Sequence, residues 1–255
     1  METLVEYPLI VSALCFLLML LSARLGFFLR KKQGDLTEHA HQDLHLITSA
    51  TLTLLGLIIG FSFSMAISRY DLRKQYEEAE ANAIGTEYLR ADFLPAADRM
   101  NVRALLTKYL DQRVLFYETR DENALRHIDA ATAQLQAELW SAVRSPVASQ
   151  PIPVLTLTVS GMNDVLNSQG YTQTAWWNRI PPGAWFLMVT IALCSNLLVG
   201  LDSHWAGARV SRLLVLPLVL SIAFFAIADI DSPRRGVIRV HPQDLTNLIQ
   251  SLHGY

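Results

Sequence analysis

Three groups of side chains in this chain have types and spacing that could do chemistry. The string EHAHQDLH is its one histidine cluster. On a helix starting near Asp35, with Glu38 placed for a capping box, Glu38, His41 and His45 share one face. That face could hold a transition metal or take up protons near neutral pH, although a solvated helix start needs the same composition. The acidic run Glu77, Glu78 and Glu80 reads as a solvated face. Were helices from several subunits to converge there, it would form a vestibule favouring cations over anions. Asp229 and Asp231, in DIDSPRRG, offer two carboxylates where a hard cation wants six or more oxygens. Their expected role is structural, with Asp231 pairing to Arg234 or Arg235 while Pro233 turns the chain.

Other chemistries lack their signatures. There is no P-loop, dinucleotide glycine motif, HExxH or nucleophile elbow, so no enzyme and no cofactor is expected. His127 has no serine or cysteine near it in sequence and reads as a surface residue. Cys15 and Cys194 both lie in apolar runs, where a free thiol acts as a small hydrophobe and neither a disulfide nor a zinc site is suggested. A formal charge of -2 offers no basic field for nucleic acid.

The elements that carry these groups are set by hydropathy. The chain has 255 residues, 51% of them hydrophobic, too apolar for an ordinary soluble domain. A bilayer crossing needs roughly 20 mostly apolar residues, and four runs qualify: Leu9 to Leu29, Leu46 to Ser68, Ala184 to Leu201 and Leu213 to Ile230. The first follows Glu2 and Glu6 rather than a basic leader and shows no small-residue cleavage site, so it is expected to stay as an anchor. No acidic residue sits deep in a run, Arg24 is near enough to an end to snorkel, and Asn196 is expected to bond between helices. The organisation is therefore two spans (1–68), a helical extramembrane segment (69–182), two more spans (183–231) and a tail (232–255).

Within the polar segment, four helical stripes can be read. The first is Leu72, Tyr76, Ala79, Ala83 and Thr86, continuing the second span without a break. A second helix, capped by Asp98, carries Val102, Leu105, Leu106, Tyr109 and Phe116; a third carries Leu125, Ile128, Leu135, Leu139 and Val143 and ends near Pro146. Pro151 and Pro153 open a fourth, with Val154, Leu157, Met162 and Val165 inward and Gly170 at its end. Trp176, Trp177 and Trp185, around Pro181 and Pro182, fit an aromatic belt at the membrane interface. Orientation is weakly marked. Arg30, Lys31, Lys32, Arg209 and Arg212 lie on one face against Arg69, Arg73, Lys74, Arg179, Arg234, Arg235 and Arg239 on the other, with a slight tilt toward an external helical domain.

Four blocks in order, LLGLIIGFSFSMAISRY, EANAIGTEYLRADFLP, LTVSGMNDVLN before PPGAW, and DIDSPRRGVIRV, resemble the bacterial membrane proteins with a bestrophin-like domain, over nearly the whole chain. More distantly the chain is similar to bestrophins, pentameric anion channels built as two spans, a helical segment and two spans. Gly60, Phe61, Arg69 and Tyr70 match the spacing of the bestrophin second span. The resemblance implies an all-α homo-oligomer in the bacterial inner membrane, passing small ions through an axial pore. It places a dewetting neck on Phe61, Leu57 and Thr53, with Ser64 and Ser68 offering hydroxyls further along. Thr53 departs from the large apolar residue expected there. The same resemblance puts Asp229 and Asp231 where bestrophins begin a calcium clasp, but the basic PRRG that follows is unlike that motif. Against the channel stands a second reading, a non-conducting sensor or scaffold whose helical domain binds a ligand or partner.

Overall fold

In a computed structural model of the chain, residues 7–33, 37–149, 153–203 and 210–253 are described. Asp35, Pro151 and Arg209, used above, lie outside them, as do Glu2 and Glu6. The regular structure among the described residues is helical: α1 (Pro8–Gln33), α2 (Glu38–Arg90), α3 (Ala96–Glu118), α4 (Glu122–Ser149), α5 (Leu155–Trp177), α6 (Pro182–Asp202), α7 (Val210–Asp231) and α8 (Gln243–His253), with a 3-10 turn, Ala91–Phe93, after α2. This is the expected all-α class. Four stretches are long and apolar enough to cross a membrane, in α1, in α2, in Leu155–Asp202 (which includes α6) and in α7.

The chain forms two compact units. One takes the described residues up to Arg69 and from Arg179 to Arg239; the other takes Tyr70 to Asn178 and those from Val240 onward. The 53-residue helix α2 contributes to both. The segment from Val240, read as part of a tail, carries α8, which packs on α3 in the second unit.

In the first unit α1 packs along α6 and α7. Its buried side chains Val11, Cys15, Met19 and Ala23 recur every fourth residue, while Leu9, Leu17, Leu21, Leu25 and Phe28 stay exposed. One face seals against protein and the rest suits lipid. The pairing of α1 with α6 needs glycine: a Cβ on Gly26 would lie 2.1 Å from the Leu197 carbonyl oxygen, and one on Gly200 2.1 Å from that of Ala23. Ser22 Oγ donates across to the Leu193 carbonyl at 2.7 Å, and Ser12 Oγ to that of Ser221 at 3.0 Å. Asn196, expected to bond between helices, donates from Nδ2 to Ala192 of its own helix at 2.8 Å.

In the second unit α3 packs on α4, and α4 on α5. Val102, Leu105, Leu106, Tyr109 and Phe116 of α3 and Leu125, Ile128, Leu139 and Val143 of α4 are buried as their periodicity predicts. The helix ends differ from expectation. Pro95, not Asp98, precedes α3, with no side-chain cap bond. Helix α4 carries Pro146 within its last turn, where one lost N–H bond is tolerated, and reaches Ser149. Helix α5 runs through Gly170 to Trp177, because a lone interior glycine costs only ~1 kcal/mol against alanine. Along α5, Met162 and Val165 are buried as expected, whereas Val154 and Leu157 are exposed.

The larger correction is on α2. Of the expected stripe, Ala79 and Thr86 are exposed and Leu72, Tyr76 and Ala83 only half-buried. The buried row is Arg73, Glu77, Glu80, Ile84, Glu87 and Ala91, displaced by one residue and mostly charged. Hydropathy chose the wrong face because this unit buries charged side chains, Arg73, Glu77 and Glu80 among them bonded to other elements.

Candidate functional site

On the span-forming part of α2, Leu55, Ser62 and Ala66 are buried at 1%, 7% and 0% exposure, and Thr48 also faces in. The opposite face is open. Thr53, Leu57, Phe61, Ser64 and Ser68 are all exposed, Leu57 at 53% and Phe61 at 64%. A Cβ added at Gly56 or Gly60 would meet nothing within 4 Å. The five proposed pore residues therefore share one helix face that the folded chain leaves uncovered. Thr53 Oγ1 donates to the Ser49 carbonyl one turn back at 2.9 Å, so its hydroxyl hydrogen is used inside the helix.

The acidic run is split by the helix. Glu78 is exposed, as a solvated face predicts, but Glu77 and Glu80 are buried at 1% and 0%. Glu80 pairs with Arg113, itself fully buried, through Arg113 Nε and, at 3.4 Å, Nη2. Thr172 Oγ1 donates to the same carboxylate at 3.0 Å and Tyr117 Oη at 3.5 Å. This network is how an ion pair survives in a core: the remaining lone pairs are met by hydroxyls. Burial and then the Glu80 charge push the Tyr109 and Tyr117 phenols well up. Glu77 Oε1 accepts the backbone N–H groups of Asp244 and Leu245 at 2.9 and 3.0 Å, capping the N-terminus of α8. Burial, with Asp244 beside it, raises its carboxyl to about 7 against the pull of those N–H groups.

Glu87 has no bonding partner on either oxygen and is 0% exposed. Burial lifts it to about 8, with Arg90 pulling the other way and Asp164 adding to the rise. Arg73 closes the C-terminus of α5, its Nε donating to the Ala175 carbonyl at 3.1 Å and Nη2 to that of Asn178 at 3.2 Å. Arg113 was missed in the sequence, yet a signal was there. It falls four residues after Tyr109 and three before Phe116, on the buried stripe of α3.

The three tryptophans do not form one belt. Trp176 is 4% exposed and packs edge-on against Phe116 at 5.2 Å and Tyr117 at 5.4 Å, in the core of the second unit. Trp185 is 7% exposed and meets Phe224 of α7 at 6.3 Å. Trp177 presents its ring, 72% exposed, because neighbours on a helix point about 100° apart.

Glu38, His41 and His45 also fail to assemble. Helix α2 starts at Glu38, and its Ala40 N–H is met by Thr37 Oγ1 at 3.4 Å, a cap the sequence reading overlooked. His41 lies 3.7 Å from Asp202 at the end of α6, and His45 Nδ1 lies 3.1 Å from Ser49 Oγ. Among the described residues no three His, Cys, Asp or Glu side chains group as metal ligands.

Asp229 and Asp231 hold structure together at the end of α7. Asp229 accepts the N–H groups of Val237 and Ile238 at 2.7 and 2.8 Å. Asp231 accepts the Ile180 N–H on both oxygens, at 3.1 and 3.0 Å, and lies 3.5 Å from Arg69 Nη1. The structural role is as expected, and Arg69, from α2, is one ion-pair partner of Asp231. Backbone donors and a guanidinium surround both carboxylates, which is not the oxygen shell of a calcium site.

Four apolar spans, a helical unit between the second and third, and an uncovered face on the second define a class of multi-span helical membrane protein. The chain belongs to the Bestrophin-like domain family, whose profile matches residues 13–245. Among solved structures it is similar to a bacterial bestrophin homolog from Klebsiella pneumoniae. One such structure, of a single-residue mutant, has a TM-score of 0.66 at 11% identity, covering 95% of this chain and 98% of that one. Another, solved by zinc phasing, has 0.66 at 12% identity, covering 95% and 97%. A third, of a different mutant, has 0.66 at 11% identity, covering 95% and 94%. No curated protein matches by sequence.

Proposed function

We propose that this chain forms an oligomeric channel of the bacterial inner membrane that passes small ions along an axis lined by α2. The subunit number is five and the ions are anions by analogy with bestrophins. The observation that carries the reading is the open face of α2: Thr53, Leu57, Phe61, Ser64 and Ser68 are exposed together while the opposite face is packed. A face exposed on one helix lines a conduit only when copies of it meet around an axis, so this reading rests on a ring of subunits. Around the axis, Phe61 and Leu57 form rings of large apolar side chains that exclude water until they widen. Ser64 and Ser68, one and two turns on, present hydroxyls that can donate to an anion, and no charged side chain stands on this row.

The test is current across a planar bilayer from purified protein whose ring stoichiometry has been measured. Phe61→Ala removes the largest neck side chain and is expected to raise open probability or conductance several-fold. Protein of verified ring size that stays silent across voltage, pH and calcium overturns the channel and leaves the anchored sensor or scaffold. A monomer or dimer in lipid does the same.

A further inference from the structure

Arg24 stands inside a membrane-crossing run and takes no part in the channel reading. It lies in α1, ahead of the basic last turn that holds Arg30, Lys31 and Lys32. At ~1.5 Å per residue it sits about 9 Å short of Arg30, within the apolar layer. The packed face of α1 is Val11, Cys15, Met19, Ala23, Gly26 and Arg30, all buried against protein. Helical period puts Arg24 on the opposite side, in the row Leu17, Leu21, Arg24, Phe28 and Lys31, at steps of four and three residues. Every member of that row is exposed, Leu21 at 61% and Phe28 at 63%. Among the described residues neither Arg24 nor Lys31 takes part in an ion pair or a side-chain hydrogen bond.

A guanidinium on a lipid-facing row has to find a counter-charge or reach the headgroups with its apolar stem. No acidic residue sits deep in any of the four apolar runs, so the spans of a second copy supply no carboxylate at this depth. What the row does match is an amphiphile: two aliphatic side chains, then two cations on either side of Phe28. Helical side chains lean toward the N-terminus, so Lys31 leans back toward Arg24, and a phosphate over Phe28 lies between them. We propose that this face of α1 is a binding site for one anionic phospholipid, with Arg24 and Lys31 holding its phosphate and Leu17 and Leu21 lying along an acyl chain. The arginine fork meets two phosphate oxygens at once. Two cations for one head favour a lipid with net negative charge over a zwitterionic one.

The site stands whether or not the protein conducts, and the test reads lipid rather than current. Full-length protein with Cys15→Ala and Cys194→Ala carries a nitroxide at Leu21→Cys, which leaves Arg24 and Lys31 in place, in bilayers of phosphatidylglycerol and phosphatidylcholine. Oxygen, which concentrates in hydrocarbon, is expected to relax this label at least two-fold more than a water-soluble nickel chelate does. The reverse order is expected at Lys108→Cys, an exposed position of α3. In parallel, Arg24→Gln is expected to lower the ratio of phosphatidylglycerol to phosphatidylcholine that stays bound after purification at least two-fold. Arg24→Lys, which keeps the charge, should retain most of that preference, and Lys108→Gln should leave it unchanged. A label at position 21 shielded from both reagents would show that a second copy covers the row. One relaxed by nickel as strongly as at position 108 would show a water-lined face. Either outcome, an unchanged lipid ratio in Arg24→Gln, or an equal fall in Lys108→Gln overturns the proposal.

Discussion

The two units differ in how their most deeply buried polar side chains are satisfied. In the unit of α1, α6 and α7, the buried hydroxyls of Ser195 and Ser221 turn back on their own helix, to the Ile191 carbonyl at 2.8 Å and that of Pro217 at 2.6 Å, while the half-buried Ser12 and Ser22 reach a carbonyl of the facing helix. In the unit of α3, α4 and α5, buried polar groups reach far along the chain. Glu80 gathers Arg113, Tyr117 and Thr172, and Arg73 reaches Ala175. A helix in lipid must satisfy its backbone polar groups within itself, and a hydroxyl there is satisfied by sharing a carbonyl of its own or a facing helix. A bundle that folds from water can form long-range networks, and their cost is paired charge. The outer surfaces differ as well: Leu17, Leu21 and Phe28 are exposed on α1, while Glu78 and Lys108 are exposed on α2 and α3.

The sharpest way to break this contrast is to remove half of the buried pair. Arg113→Ala leaves Glu80 charged in a core with 0% exposure and only Thr172 and Tyr117 to meet it. The expected loss is about 3–5 kcal/mol from the second unit, measured by hydrogen exchange at the α3 and α4 amides, with those of α1 and α6 little changed. A loss below ~1 kcal/mol, the range of an exposed pair, would mean that the pair is hydrated.

Glycine separates the units next. Gly200→Ala would place a Cβ 2.1 Å from the Ala23 carbonyl oxygen and 2.8 Å from the Phe27 nitrogen, both backbone, so α1 and α6 must part. About 1–3 kcal/mol is expected from overpacking, read as a lower unfolding temperature in detergent. Gly161→Ala meets side-chain tips instead, Glu87 Oε2 and Arg90 Nη1, and these can swing aside. An equal loss at both sites would show that Glu87 is as fixed as backbone.

Sequence made the first unit nearly transparent and the second only in part. Apolar runs of about 20 residues mark crossings without reference to any partner, and the five-residue row on α2 follows from helical period once its alignment is chosen. On α3 and α4, large aliphatic residues at three and four residue steps marked the core correctly. On α2 past Arg69 they could not, because the inward face carries Arg73, Glu77, Glu80 and Glu87, and each charge is buried on account of a partner or cap far along the chain or, for Glu87, with none. Trp176 misled for a related reason. Its type suggested an interface belt, whereas Phe116 and Tyr117, some sixty residues earlier, enclose it.

Protonation probes the buried acids of the second unit. Glu87 titrates near 8 when folded against an ordinary 4.5, and Glu77 near 7. The folded unit therefore binds these protons more tightly than the unfolded chain, and the stability these two groups contribute is full below about 4.5 and is lost as pH rises through 7 and 8. The unit should resist denaturation better at pH 6 than at pH 9. Glu87→Gln, which keeps the shape without the ionisation, should narrow that difference while Glu78→Gln on the exposed face leaves it alone. A pH response untouched by Glu87→Gln would assign it to other groups.

The smallest effect is expected where the membrane unit's polar atoms are self-contained. Ser195 is 0% exposed, but its hydroxyl serves only the Ile191 carbonyl, which already takes part in the helix. Removing both donor and demand together strands no buried group, so Ser195→Ala should change stability by less than ~0.5 kcal/mol. The same change at Thr172, also 0% exposed, takes a donor away from Glu80 and should cost about 1–3 kcal/mol. Measured side by side, the two hydroxyls test the contrast directly. Equal costs at 195 and 172 would mean that burial alone, and not the reach of the bond, sets what a polar atom contributes in this protein.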